Sequence, residues 1–315
     1  MARILVTGAA GFIGCGLCRG LAERGHRPVA GLRRPAPPSS TVEGVLLGDI
    51  TANRDWSRAL RGVGIDIVIH LAQRAHSTAD PAGLAPEPAA AAALALAAAR
   101  AGARRFVYLS SVLALGAATE PGRPFRTGDE PHPETAYGRS KLATEQALTE
   151  AAQETGIELA IIRPPLVHGP GVRANFRALL RLVASGVPLP FAALDNRRSF
   201  VFLDNLVDLI ATMAVHPNPA GTWLVRDDPD LSTADLIRAL AGGLGRPARL
   251  FPIPPAVWPA LRALPRAGPR LASLTGTLQA DDAATRAAFS WAPPIPAAAG
   301  LARTARAFAE VHRRA

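Results

Sequence analysis

The sequence predicts an α/β fold: a doubly wound parallel sheet followed by a smaller α/β C-terminal lobe. Three observations predict it. Short, near-continuous apolar runs alternate with helical stretches through the first half of the chain, the pattern of strands buried on both faces by crossover helices. A glycine-rich turn, residues 7–14, joins the first run to the first helical stretch. After about residue 165 the alternation stops, prolines cluster and the helical stretches become isolated.

The elements follow in order. Strands are expected at Arg3–Thr7, Arg27–Leu32, Val45–Leu47, Ile65–Leu71, Phe106–Ser110 and Glu158–Arg163. Helices are expected at Ile13–Arg24, Trp56–Leu60, Ala89–Ala101 and Ala136–Thr155. Three prolines make Arg33–Ser40 a loop. Pro164, Pro165, Pro170, Pro188 and Pro190, then Pro252, Pro254, Pro255 and Pro259, mark the second lobe. The expected division is therefore 1–165 for the first domain, with 200–225 returning to it, and 166–315 for the second lobe. No internal repeat is evident.

Composition removes several classes. The 315 residues are 49% hydrophobic and 19% charged, with a mean hydropathy of +0.15, enough for a large core and unlike a disordered chain. The longest small-apolar run, Ala89–Ala99, is too short and too rich in alanine to span a bilayer. The chain enters its first strand at once, without the regions of a signal peptide. Two cysteines cannot build a disulfide framework, so a cytoplasmic location is expected. Cys15 and Cys18 form a C-x-x-C on the first helix without further ligands, so packing is expected there and no metal. The net charge of +10 comes from arginines spread along the whole chain, which favours a solvated surface and a phosphate-bearing small ligand over nucleic acid. The basic residues are 34 arginines and one lysine. That bias is expected of a GC-rich genome, and it singles out Lys141, four residues after one of only two tyrosines.

Gly8, Gly11 and Gly14 in Thr7-Gly8-Ala9-Ala10-Gly11-Phe12-Ile13-Gly14 open the first helix directly after a strand. Glycines there permit a tight turn and let backbone N–H groups approach a pyrophosphate at the positive end of the helix. In this context the motif marks a Rossmann dinucleotide site, with Phe12 and Ile13 beside it. The end of the second strand, Gly31-Leu32-Arg33-Arg34, should read the adenosine ribose. It carries no acid for a 2′-hydroxyl, and Arg33 and Arg34 suit a 2′-phosphate, so NADP is expected with NAD as the alternative. Asp49 and Ile50 are placed to meet the adenine. Leu71, Ala72 and Gln73 should line the path to the nicotinamide ribose, and Pro164 should close it. His70, in an apolar strand, is expected to be a core histidine.

Tyr137 and Lys141 are at i and i+4, on one helix face. A phenol near its ordinary pKa of about 10 is a poor base. An adjacent ammonium and an oxidised nicotinamide both favour the phenolate, and are expected to lower that value. Ser111, closing the fifth strand, can offer a hydroxyl to the oxygen that Tyr137 protonates or deprotonates.

With these residues the sequence resembles the extended short-chain dehydrogenase/reductases, specifically the NAD(P)-dependent nucleotide-sugar epimerase/dehydratase family, over essentially its full length. Residues 7–14 resemble T-G-x-x-G-F-I-G, 106–111 the serine strand, and 137–141 the catalytic helix. Residues 163–171 resemble the R-P-x-x-V-Y-G-P-G turn, and 196–206 the arginine-then-V-x-D segment. The resemblance implies that Ser111, Tyr137 and Lys141 are catalytic, that Asn175 and Arg198 hold a nucleotide diphosphate, and that His168 touches substrate or packs the loop. Departures narrow the activity. Val112-Leu113 stand where dehydratases carry Asp-Glu, which argues against 4,6-dehydration. The usual asparagine near Glu87-Pro88 is missing, and Leu166 replaces the asparagine of the turn. Reduction of a UDP-4-keto-hexose is the expected reaction, with a nucleotide-sugar 4-epimerase (UDP-glucose 4-epimerase-like) as the alternative. Reduction of a non-sugar ketone, or a catalytically silent NADP sensor, stand further off. The resemblance also implies a homodimer built on the Ala89–Ala101 and Tyr137 helices.

Overall fold

A computed structural model describes residues 1–35, 42–72, 84–265 and 268–314. Strands β1 (Arg3–Thr7), β2 (Arg27–Leu32), β3 (Glu43–Leu46), β4 (Ile67–His70), β5 (Arg105–Leu109) and β6 (Glu158–Arg163) alternate with helices α1 (Phe12–Glu23), α2 (Trp56–Leu60), α3 (Glu87–Arg100) and α4 (Ala136–Thr155). Then follow β7 (Leu166–His168), α5 (Ala174–Ser185), β8 (Phe200–Phe202), α6 (Leu203–Val215) and β9 (Gly221–Leu224). The chain closes with α7 (Thr233–Gly243), α8 (Trp258–Arg262), α9 (Gly268–Thr275), α10 (Ala283–Phe289) and α11 (Ala297–Arg314).

Seven strands form one parallel sheet in the order β3-β2-β1-β4-β5-β6-β9. Every strand is short and apolar because both of its faces are covered. Ile4 and Val6 of β1 point into a layer shared with Leu17 and Leu21 of α1 and Leu206, Ile210 and Met213 of α6. Leu5, between them, points the other way, to Leu94 and Ala98 of α3 and Leu148 of α4. The alanine run of α3 lets it lie close against α4. A third apolar cluster, with Phe176, Leu180, Phe191, Leu236, Leu240, Trp258 and Leu301, forms the core of the second lobe. No helix among the described residues is long and apolar enough to cross a membrane.

Two features were not among the expected strands. β9 is a four-residue strand that begins at a glycine with φ +124°, and β7 pairs with β8 in a separate two-stranded sheet. Both are too short, and too close to glycine or proline, to show alternation. Several charged residues are built into the interior, Arg105 among them. Arg105 is 1% exposed, its fork taking Glu158 at 2.9 and 2.6 Å while a third nitrogen donates to the carbonyls of Met213 and Ala214 at the end of α6.

Candidate active site

The register sets Thr7 opposite Gly31 on one side and His70 on the other, at the C-terminal edge of the sheet. There β1 ends and the glycine turn begins. Gly8 has φ +68°, and the Gly11 N–H donates to its carbonyl at 2.8 Å. A Cβ on Gly14 would sit 2.7 Å from Ala9 Cα, so helix and turn touch backbone to backbone. Gly11 is the N-cap of α1, no side chain caps it, and the first turn carries no acid. The leading N–H groups thus face outward with the helix dipole behind them, and these residues fit a dinucleotide pyrophosphate.

Thr7 organises the neighbouring strand end. Its hydroxyl accepts from the N–H groups of Leu71 and Ala72, each at 3.2 Å, and its own proton goes to Nδ1 of His70 at 2.8 Å. Burial, with the nearby Lys141 charge, pushes His70 down to about 3, so it stays neutral in the core. Gln73 lies outside the described residues. On the adenosine side, the exposed Arg33 and Asp49 meet each other, Nε to Oδ1 at 2.6 Å. Arg34 is exposed beside them, and Ile50 packs on the α2–α4 side of the core.

Thr135 caps α4 by accepting from the Gly138 N–H at 2.9 Å. A Cβ on Gly138 would overlap the backbone carbonyl of Leu113. The first turn of α4, with Tyr137, therefore rests on the 3-10 turn that follows Ser111. That turn is tied to β6 by Val112 N–H donating to the Pro164 carbonyl at 2.9 Å, and Ser111 Oγ accepts from Leu113 N–H at 3.2 Å. Ser111, Tyr137 and Pro164 are thus on three segments in mutual contact. Lys141, 2% exposed, donates Nζ to the Leu109 carbonyl at 2.5 Å. Its nitrogen is 4.8 Å from the ring centre of Tyr108 and 5.6 Å from that of Tyr137. Burial lowers Lys141 to about 7, against the pull of the Glu87 and Glu145 carboxylates. Tyr137 shifts opposite to the sequence expectation. Burial and then the Glu87 charge push its phenol well above the usual range.

Sequence reasoning missed the layer beneath this pair. Glu145, one turn after Lys141, takes the Arg163 fork at 3.0 and 2.6 Å and also accepts from the Ser110 hydroxyl. Arg163 and Glu145 are both about 95% buried. The signal was available, since Arg163 is a charge closing the apolar run Leu159–Ile162 and Glu145 shares the face of Tyr137 and Lys141. Glu87, whose charge reaches Tyr137, Lys141 and Tyr108, stands beside the position where the sequence lacked an asparagine.

In the second lobe Asn175 is exposed at the start of α5, after Ala174 with φ +50°. Arg198 is half-buried and donates Nη1 to the Gly276 carbonyl at 3.0 Å; burial lowers it to about 10. His168 does not reach a cleft. It is 1% exposed, stacked on Phe176 at 5.3 Å, and its Nδ1 pairs with the Thr304 hydroxyl at 3.0 Å. Of its two expected roles, the structure shows packing. Burial pushes it down to about 3.

A glycine cradle at a helix N-terminus, beside a tyrosine–lysine pair at the C-terminal edge of a parallel sheet, fits a dinucleotide-dependent enzyme. The chain belongs to the NAD dependent epimerase/dehydratase family, which it matches over residues 4–224, and is an enzyme of the extended short-chain dehydrogenase/reductase type. It is 38% identical over 321 residues to a UDP-glucose 4-epimerase of Vibrio cholerae, covering 99% of this chain and 97% of the relative. A 2-alkyl-3-oxoalkanoate reductase of Stenotrophomonas maltophilia is 29% identical, over 82% of this chain and 84% of its own. Among solved structures, a UDP-glucose 4-epimerase of Thermotoga maritima with UDP-glucose superposes with a TM-score of 0.78 at 20% identity, over 98% of this chain and 99% of that one.

Proposed function

We propose that the protein is a nucleotide-sugar 4-epimerase acting on a UDP-hexose. The observation that carries the reading is the pair of buried Lys141 and partly exposed Tyr137, resting on the Ser111 turn and facing the edge that bears the glycine cradle. The likeness to the Vibrio cholerae UDP-glucose 4-epimerase, along nearly the whole length of both chains, supports a sugar substrate. It also favours the epimerase over the UDP-4-keto-hexose reductase that the sequence placed first, and it outweighs the weaker likeness to an oxoalkanoate reductase.

In this reading Tyr137 Oη removes the proton of the sugar C4 hydroxyl and later returns it to the C4 ketone. Ser111 Oγ donates to the same sugar oxygen. Lys141, in its ammonium form beside the phenol, steadies the phenolate. Asn175 and Arg198 hold the diphosphate. The bound dinucleotide supplies a hydride acceptor that returns what it takes. The glycine cradle, Phe12, Ile13, Asp49, Ile50, Leu71, Ala72 and Pro164 hold that dinucleotide in place.

The end of β2 favours a second reading, in which NADPH reduces a 4-keto-sugar. Arg33 and Arg34 are exposed there without a carboxylate of their own strand, and a 2′-phosphate would compete with Asp49 for Arg33. A cytoplasmic homodimer, paired through α3 and α4, belongs to the same proposal, and sedimentation would measure its mass.

Purified protein given UDP-glucose without added cofactor should form UDP-galactose, and Tyr137→Phe should lower that rate by about 10²- to 10⁴-fold while still binding dinucleotide. Consumption of NADPH in proportion to a 4-keto-sugar, with no epimerisation, would establish the reductase instead. Arg33→Ala should then weaken NADP selectively over NAD.

A further inference from the structure

We propose that Glu145 is a positioning residue of this active site: its buried carboxylate ties the ends of β5 and β6 to α4 and, with Arg163, sets the charge field in which Tyr137 and Lys141 exchange protons. The geometry of three segments carries the inference. Ser110 immediately precedes Ser111, Arg163 immediately precedes Pro164, and Glu145 lies two helical turns from Tyr137 and one from Lys141. One carboxylate joins all three, through both nitrogens of the Arg163 fork and the Ser110 hydroxyl. Backbone contacts alone cross-link these strand ends (Ser110 N–H to Ile162 O at 2.7 Å, Val112 N–H to Pro164 O at 2.9 Å) but do not reach α4. Glu145 supplies that link from the helix. A buried carboxylate of this kind is tolerated because its fork-shaped partner satisfies both oxygens, and removing either partner strands a charge beside the catalytic pair.

The charges that face Lys141 come from every surrounding element. Glu87 approaches from α3, neutral His70 from β4, Tyr108 from β5, Tyr137 and Glu145 from its own helix, and Arg163 from β6 through Glu145. Of these, only the Glu145–Arg163 pair can be unbalanced in either direction by single substitutions. Glu145→Gln leaves the Arg163 charge uncompensated and eases release of the proton shared by Tyr137 and Lys141. Arg163→Met leaves the Glu145 charge uncompensated and holds that proton.

The inference rests on Tyr137 and Lys141 acting as an acid–base pair, as in the proposed function. Its test does not need the substrate. The chain has two tyrosines, so the phenolate absorbance of the cofactor-loaded protein, less that of Tyr137→Phe, reports Tyr137 alone. The midpoint should fall in Glu145→Gln and rise in Arg163→Met, each by on the order of one pH unit. It should return close to wild type in the double variant. Arg163→Lys, which keeps the charge but loses the fork, is the variant least at risk of misfolding. It should keep the wild-type midpoint while kcat falls about tenfold at unchanged KM. Midpoints unmoved in both single variants, or moved the same way, overturn the inference. Undiminished turnover in Tyr137→Phe would overturn the acid–base reading instead, which keeps the two failures distinct.

Discussion

Replacing Lys141 with methionine should abolish turnover and yet stabilise the unliganded protein at mildly acid pH. The ammonium is 2% exposed, and burial lowers its pKa from 10.5 to about 7. Between those two values the unfolded chain holds a proton that the folded chain has released. Stability therefore rises with pH across that window, while below about 7 both states are protonated and the full burial penalty is present. At about 1.4 kcal/mol per pH unit the displacement sets a ceiling near 5 kcal/mol on that penalty. Methionine is apolar, of similar length, and removes it. The substitution also leaves the Leu109 carbonyl without its donor, a loss of about 1–3 kcal/mol, and Glu87 and Glu145 lose a nearby cation. A net gain of about 2–3 kcal/mol remains near pH 6; it should vanish near pH 9 and turn into a loss of about 2 kcal/mol as the pH approaches about 10.5. Urea unfolding of both proteins over that pH range measures the difference directly. A methionine variant that is less stable near pH 6, or a gap that fails to close as the pH rises, would refute the reasoning.

Two further outcomes test the rest of the site. Gly14→Ala places a Cβ 2.7 Å from Ala9 Cα, so the glycine turn must move; dinucleotide affinity, measured by calorimetry, should fall at least about tenfold with a stability loss of about 1–3 kcal/mol. An alanine variant of undiminished affinity would remove the turn from the cofactor site. His168→Phe keeps the stacking on Phe176 and forfeits only the Thr304 hydrogen bond, so KM for the sugar nucleotide should hold while Tm drops by a few degrees. A tenfold rise in KM would return His168 to the substrate.

The sheet was legible where physics imposes a pattern on local sequence. Buried parallel strands must be short and apolar, and a pyrophosphate turn needs glycine at defined steps, so β1, β2 and β6 could be found residue by residue and β3, β4 and β5 to within one or two residues at each end. β9 was not legible as a strand, because four residues against the edge of a finished sheet need no pattern of their own. In the candidate site, sequence singled out the groups proposed to face the substrate but not those that face one another. Arg33 and Asp49 were assigned to two parts of a ligand, and their pairing depends on a distance only the fold supplies. Glu145 and Arg163 lie 18 residues apart and meet beneath the helix. The direction of the Tyr137 shift was missed for a related reason. The lysine at i+4 is visible in the sequence, whereas the desolvation and the Glu87 carboxylate that raise the phenol come from packing.

The one lysine among 34 arginines can now be argued from the structure rather than from composition. Where a buried cation has only to hold carboxylates or carbonyls, this chain uses arginine. Arg105 and Arg163 fill such sites, each with its fork on a carboxylate, and a planar, permanently charged group suits them. The space beside Tyr137 makes a different demand. It is bounded by two tyrosine rings and the Leu109 carbonyl, which leaves room for a single point donor. Burial also brings the ammonium to about 7, where its charge can respond to the phenol beside it. A guanidinium stays protonated in any such environment, so it could neither give up the charge nor fit the space. In the proposed mechanism, position 141 keeps its lysine for a single point charge with a labile proton, which no arginine can supply.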